Sequence, residues 1–179
     1  MFHLKHISDI EKGDPAAIET AVLAYYDEIY RFVYRKVGNQ ADAQDITQEV
    51  FLKFVSNIKR YRECGKLKSY LFKLAINATT DYFRNKHDSF PLRDLDEISV
   101  SSKSILDNLI MKEDIQLIYK ALNALPEFQS NVIILRFYHN LSFHDIAKIT
   151  DCSVSTAKSR YRQGIEKIKK SIRGDICEK

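Results

Sequence analysis

Cysteine is scarce in this 179-residue chain, and its three copies, Cys64, Cys152 and Cys177, stand apart with no CxxC spacing. An odd, scattered set argues against a disulfide framework or a zinc finger and points to a reducing compartment. No apolar run approaches the roughly 20 residues that a membrane-spanning helix needs. The N-terminus, Met-Phe-His-Leu-Lys-His, continues into charged residues without the apolar centre of a secretion signal. These features predict a cytoplasmic protein. No segment has the alternation and turn chemistry of a hairpin, and no internal repeat is present. The histidines, His3, His6, His87, His139 and His144, are scattered, with no HExxH and no Ser or Cys nucleophile motif. His139 and His144 are five residues apart and would not share a helix face. A helical metal hydrolase therefore has little support, and no catalytic residue, metal or cofactor is expected.

What is present is a helical pattern. Hydrophobic residues make up 45% of the chain, an ordinary share for a globular protein. The formal charge of +4 is mild, but its distribution is not. Between Lys158 and Arg173 stand seven Lys or Arg residues against one acid, Glu166. That is either a solvated face or the footprint of a nucleic-acid contact. The context favours the second. Ser142 can cap a helix with Asp145 three residues on, and Ile146 and Ile149 give that helix an apolar face. Thr150-Asp151-Cys152 form a turn, and Ser153 caps a second helix whose Val154, Ala157, Tyr161, Ile165 and Ile168 recur at helical spacing as the inward face. Ser155, Thr156, Lys158, Ser159, Arg160 and Arg162 fall mostly on the other faces. A helix-turn-helix places the first turns of its second helix in the major groove, where Arg reads guanine and Ser or Thr holds phosphate.

Toward the N-terminus, Asp14-Pro15 is an N-cap followed by proline at the first helical position. Ile18, Val22, Tyr25, Ile29, Phe32 and Val33 then repeat at three and four residues until Gly38. A second helix is predicted from about Asp42 to about Ile58, with Ile46, Val50, Phe54 and Ile58 inward. Asp42, Asp45 and Glu49 share another face beside Gln48. These acids could be solubilising, ligate a metal or meet a basic partner; without a histidine at ligand spacing, metal is the weakest of the three. Arg60 to Lys66 breaks the periodicity as a basic loop. A third helix covers about Lys68 to Asn85, with Leu71, Ala75, Ala78 and Tyr82 as one inward row. Lys73, Asn77, Thr80 and Arg84 form a polar stripe on it. That stripe is either a solvated face or, beside an aromatic-containing basic loop, a hold for single-stranded nucleic acid.

From His87 to about Lys103, Asp88, Asp94, Asp96 and Glu97 mix with serines and Pro91 as an acidic linker. It predicts an all-α protein of two small helical domains, residues 1–86 and 110–179, with residues 87–109 between them. The second domain is expected to open with a helix from about Ile105 to Ala124, followed by another that starts near Leu125-Pro126-Glu127.

Two stretches together resemble one family. Asp42-Ala-Gln-Asp-Ile-Thr-Gln-Glu-Val-Phe-Leu-Lys, with Lys68-Ser-Tyr-Leu-Phe-Lys-Leu-Ala-Ile-Asn-Ala-Thr-Thr-Asp-Tyr-Phe-Arg, resembles region 2 of bacterial sigma factors. Ala124-Leu-Pro-Glu-Phe-Gln-Ser-Asn-Val-Ile-Ile-Leu-Arg, continuing through Ser153-Val-Ser-Thr-Ala-Lys-Ser-Arg, resembles their region 4. The short chain, with a linker where a region 3 domain would sit, resembles the extracytoplasmic-function branch. Either half alone is a moderate signal; both in this order are highly specific.

The resemblance implies roles. Asp42, Asp45, Gln48, Glu49 and Phe51 would dock on the largest subunit of core RNA polymerase. Arg60, Tyr61 and Lys66, with Lys73, Asn77, Thr80 and Arg84, would melt the minus-ten element and hold a flipped base, whose extrusion costs a few kcal/mol. Arg84 and Lys86 would track the backbone. The linker would thread polymerase channels. Ser155, Thr156, Lys158, Ser159, Arg160 and Arg162 would read the minus-thirty-five element of promoter DNA. An anti-sigma factor, often membrane-bound in the family, is an expected partner, and a stress or envelope regulon the expected output. The chain departs from the family pattern in carrying Tyr70 for Trp, Asp151 for Gly and Ala157 for Val. Tyrosine supplies a similar ring, Asp tolerates left-handed backbone, and Ala157 leaves a thinner core contact. A stand-alone helix-turn-helix regulator is the competing reading; it would need a receiver or ligand domain with alternating strands and helices, which the N-terminal half does not show.

Overall fold

The structure is a computed structural model that describes residues 10, 12–58, 67–87 and 120–177, with side chains left aside at 86–87 and 173–177. Every regular element among the described residues is helical. In chain order these are α1 (Pro15–Val37), α2 (Gln40–Ser56), α3 (Leu67–His87), α4 (Glu127–Phe137), α5 (Phe143–Ile149) and α6 (Val154–Cys177). The chain divides into two compact units, Met1–Asp94 and Leu95–Lys179. The basic loop at Arg60–Lys66, the acidic linker and most of the helix expected over 105–124 lie outside the described residues.

In the first unit α1, α2 and α3 pack pairwise into a three-helix bundle. Asp14 begins α1 as read from the sequence, its carboxylate accepting from Ala17 N–H at 2.9 Å. Gly38 ends it at φ 75°, the left-handed conformation that glycine adopts without a Cβ penalty. α2 starts two residues earlier than predicted because Asn39 caps it, accepting from Asp42 N–H at 2.9 Å. Ile46, Val50, Phe54 and Ile58 are all buried as expected, as are Ile29, Phe32, Leu71, Phe72 and Ala75 on the helices they pack with. Phe32 meets Phe72 edge-on with centroids 5.5 Å apart. Burying each such ring is worth about 1.5–3 kcal/mol, so the pair contributes substantially to the bundle's stability. Tyr70 lies against Phe54 at 6.5 Å, so it does supply a packed ring.

In the second unit α4 is the central helix. Its run Gln129–Leu135 is buried throughout, so it has no solvent stripe and must be covered on several sides. α5 and α6 cover two of them. Leu122, Leu125 and Ile133 form a core that Tyr138, Tyr161, Ile165 and Ile168 pack against. The expected inward face of α6 is therefore correct except at its start. Val154 is 36% exposed and lines the open groove beside the turn.

Candidate nucleic-acid and polymerase interface

The helix-turn-helix is built from local hydrogen bonds. Ser142 Oγ accepts from Asp145 N–H at 3.1 Å and bonds the Asp145 carboxylate, which caps α5. At the other end Thr150 N–H reaches Ile146 O, and Cys152 N–H reaches back to Ala147 O, both at 2.9 Å. Asp151 between them has φ 46°. That is a Schellman closure with Asp in the place usually given to Gly. The turn survives the departure from the family pattern. Arg136 ties α4 to α5: its guanidinium donates to Leu141 O at 2.9 Å and lies over Phe143 at 5.2 Å.

Ser153 caps α6, accepting from Thr156 N–H at 3.0 Å, and its hydroxyl also meets those of Ser155 and Thr156 at 2.8 Å each. The hydroxyls of Ser155 and Thr156 are thus both already bonded to that of Ser153, and a phosphate would replace those bonds. Ser159 accepts from Gln163 Nε2 at 3.2 Å. Lys158 and Arg162 are exposed on the outer face, and Ala157 is fully buried against the unit. Arg160 lies at the α4 side of the helix, its guanidinium 5.1 Å from the ring centroid of Phe128. An open groove beside the turn is lined by His144, Lys148, Asp151 and Ser153.

On α2, Asp45, Gln48 and Glu49 are exposed, and Asp42 is half-buried. The fifth residue of that set is different. Phe51 is only 6% exposed and stacks on Tyr26 at 5.6 Å, so its ring belongs to the bundle core and not to the outward face. The reason is helical phase: five places after Ile46 and one after Val50, it falls on the buried arc between α1 and α2. Leu52 takes its place on the surface at 67% exposure, three residues from Glu49 and four from Gln48. Counting in threes and fours from the acids would have found it.

On α3 the stripe is mixed. Asn77 and Arg84 are exposed, while Lys73 and Thr80 are half-buried. Thr80 donates back to Ile76 O at 2.8 Å, so its hydroxyl is occupied within the helix. Arg84 pairs with Asp81 at 2.9 Å and Glu49 with Lys53 at 2.6 Å, both exposed pairs one turn apart. Such pairs are worth about 0–1 kcal/mol, so they orient these side chains without preventing exchange for a partner. A second open groove runs between α2 and α3, where Glu49, Tyr82, Asp81 and Arg84 meet. Arg60, Tyr61 and Lys66, and the side chain of Lys86, lie outside the described residues. Among the described residues no cluster of His, Cys, Asp or Glu could hold a metal, and no helix is long and apolar enough to cross a membrane.

A helical bundle with an acidic outer face, followed by a helix-turn-helix with a basic second helix, is the architecture of a DNA-binding protein. Residues 21–88 match the sequence model of Sigma-70 region 2, and residues 115–168 match that of Sigma-70 region 4. The chain belongs to the sigma-70 family of RNA polymerase sigma factors, in its extracytoplasmic-function branch. It is 29% identical to the ECF RNA polymerase sigma factor SigW of Bacillus subtilis (strain 168), over 94% of this chain and 96% of that protein. It is 28% identical to the ECF RNA polymerase sigma-E factor of Escherichia coli (strain K12), over 93% of this chain and 92% of that protein. In fold it resembles the sigma factor RpoE of Bartonella quintana, solved in complex with the anti-sigma factor NepR. The TM-score is 0.71 at 22% identity, covering 87% of this chain and 96% of that one.

Proposed function

We propose that the chain, as a sigma factor, grips a promoter at two points while docked on core RNA polymerase. Asp42, Asp45, Gln48 and Glu49 present the docking face, with Leu52 as its apolar anchor; an acidic surface suits a basic partner. Asn77 and Arg84, together with Arg60, Tyr61 and Lys66, hold the melted minus-ten strand. Lys158, Arg160 and Arg162 contact the minus-thirty-five duplex, with Ser155 and Thr156 exchanging their hydrogen bonds to Ser153, and Ser159 its bond from Gln163, for phosphate. The observation that carries this reading is the pairing, in one chain, of an exposed acidic helix face with a capped, basic recognition helix. The sigma factor needs no catalytic group of its own. It works in the cytoplasm, and an anti-sigma factor, held at the inner face of the membrane or free, keeps it inactive until an envelope or stress signal arrives.

The test is transcription reconstituted from purified core polymerase, the full chain and the promoter upstream of its own gene. The expected result is a discrete start that disappears when the chain is left out. Duplex binding without any transcript would favour a stand-alone regulator and overturn the proposal.

A further inference from the structure

The first turn of α4 reaches across to the recognition helix twice. Phe128 is 47% exposed, yet its ring is not idle: the Arg160 guanidinium sits over it at 5.1 Å. The next residue, Gln129, is buried and donates from Nε2 to Gln163 Oε1 at 3.2 Å, and Gln163 Nε2 donates to Ser159 Oγ at 3.2 Å. Two neighbours on α4 therefore fix two neighbours, Ser159 and Arg160, on α6. The close approach that permits this is made by Gly164, where a Cβ would lie 2.6 Å from Ile133 Cδ1.

The geometry points to Phe128 as a positioning residue for Arg160 that sets base preference in the duplex this helix reads. An unsupported arginine side chain samples many rotamers and can satisfy phosphate or base alike. With its central carbon held over an aromatic ring, the guanidinium does not spend its N–H donors on that contact, and they can meet the paired acceptors of guanine. The ring touches no DNA in this account; it restricts where the donors point. Leucine at 128 would keep the apolar contact and the helix but remove the ring's attraction for the cation. This inference rests on the reading of α6 as the duplex-contacting helix.

The experiment selects bound sequences from a duplex library randomised across the segment one recognition helix spans, using holoenzyme formed from the full chain and core polymerase. Arg160→Ala first identifies which base preference depends on Arg160, with an expected loss of roughly five- to 150-fold in discrimination at that pair. Phe128→Leu should lower discrimination at the same pair by about two- to fivefold, the size of an exposed cation–π contact. Phe128→Tyr should restore it, and Phe128→Leu should change nothing further in the Arg160→Ala background. Full discrimination in Phe128→Leu, or a loss spread evenly over all sequences, overturns the positioning role while leaving the reading of α6 intact. If Arg160→Ala itself changes no base preference, the base contact fails and the role of Phe128 falls with it. A loss in Phe128→Leu that tyrosine does not rescue is a packing effect and also overturns the proposal.

Discussion

The hydroxyl of Tyr82 on α3 donates to Asp42 Oδ2 on α2 at 2.5 Å, joining two residues that the sequence places 40 positions apart. Tyr82 was expected in an inward row and Asp42 on an outer acidic face; the bond forms where the two meet at the helix–helix seam. Burial, followed by the hydrogen bond to Asp42 and its negative charge, pushes the Tyr82 phenol well above its ordinary value. The folded chain thus holds this proton more tightly than the unfolded chain, where the group titrates near pH 10. The stability it contributes is whole below about pH 10 and is lost as pH rises from there toward the folded value. Tyr82→Phe should cost about 1–2 kcal/mol at neutral pH, measured by urea unfolding of the first unit. It should also flatten the decline in stability above about pH 10. An unchanged alkaline profile would show that the bond carries no net stability.

At the scale of elements, helix starts were legible because capping is local chemistry. Asp14, Ser142 and Ser153 each do what their sequence context predicts. The start of α2 was misplaced by two residues because Asn39, an equally good cap, precedes the first acid. Gly164 was invisible as a packing residue. A glycine inside a helix costs roughly 0.5–1 kcal/mol relative to alanine, and only the approach of α4 explains its place in α6. Gly164→Val should therefore destabilise the second unit by about 1–3 kcal/mol through overpacking against Ile133. Faster amide hydrogen exchange along α4 and α6 would register it, with α1–α3 unchanged. Protection equal to the parent chain would mean that Ile133 turns aside without cost.

For the whole molecule, the proposed function assigns separate contacts to the two units, and substitutions in one should spare the other. Asp45→Lys with Glu49→Lys should weaken core polymerase binding about tenfold or more, less so at high salt. Duplex binding through α6 should remain. Arg162→Ala should do the reverse, weakening duplex binding evenly across sequences and lowering the salt slope by about 1 if the contact is to phosphate. Fluorescence anisotropy with labelled core or labelled duplex reads both. Loss of core binding in Arg162→Ala would show that the contacts are not separable.

Periodicity, caps and charge distribution by themselves determined the all-α class, the placement of most helices and the positions of one acidic and one basic helix face. These are properties of neighbours along one helix, three or four residues apart, and need no partner element to be read. Tertiary packing decided the rest. It turned Phe51 inward onto Tyr26 and left Leu52 outside, engaged Asp42 with Tyr82, and exposed Val154. It also brought Phe128 under Arg160. Each of these depends on which neighbouring helix covers a given arc, and contacts between residues more than 20 positions apart leave no mark on the spacing of either segment.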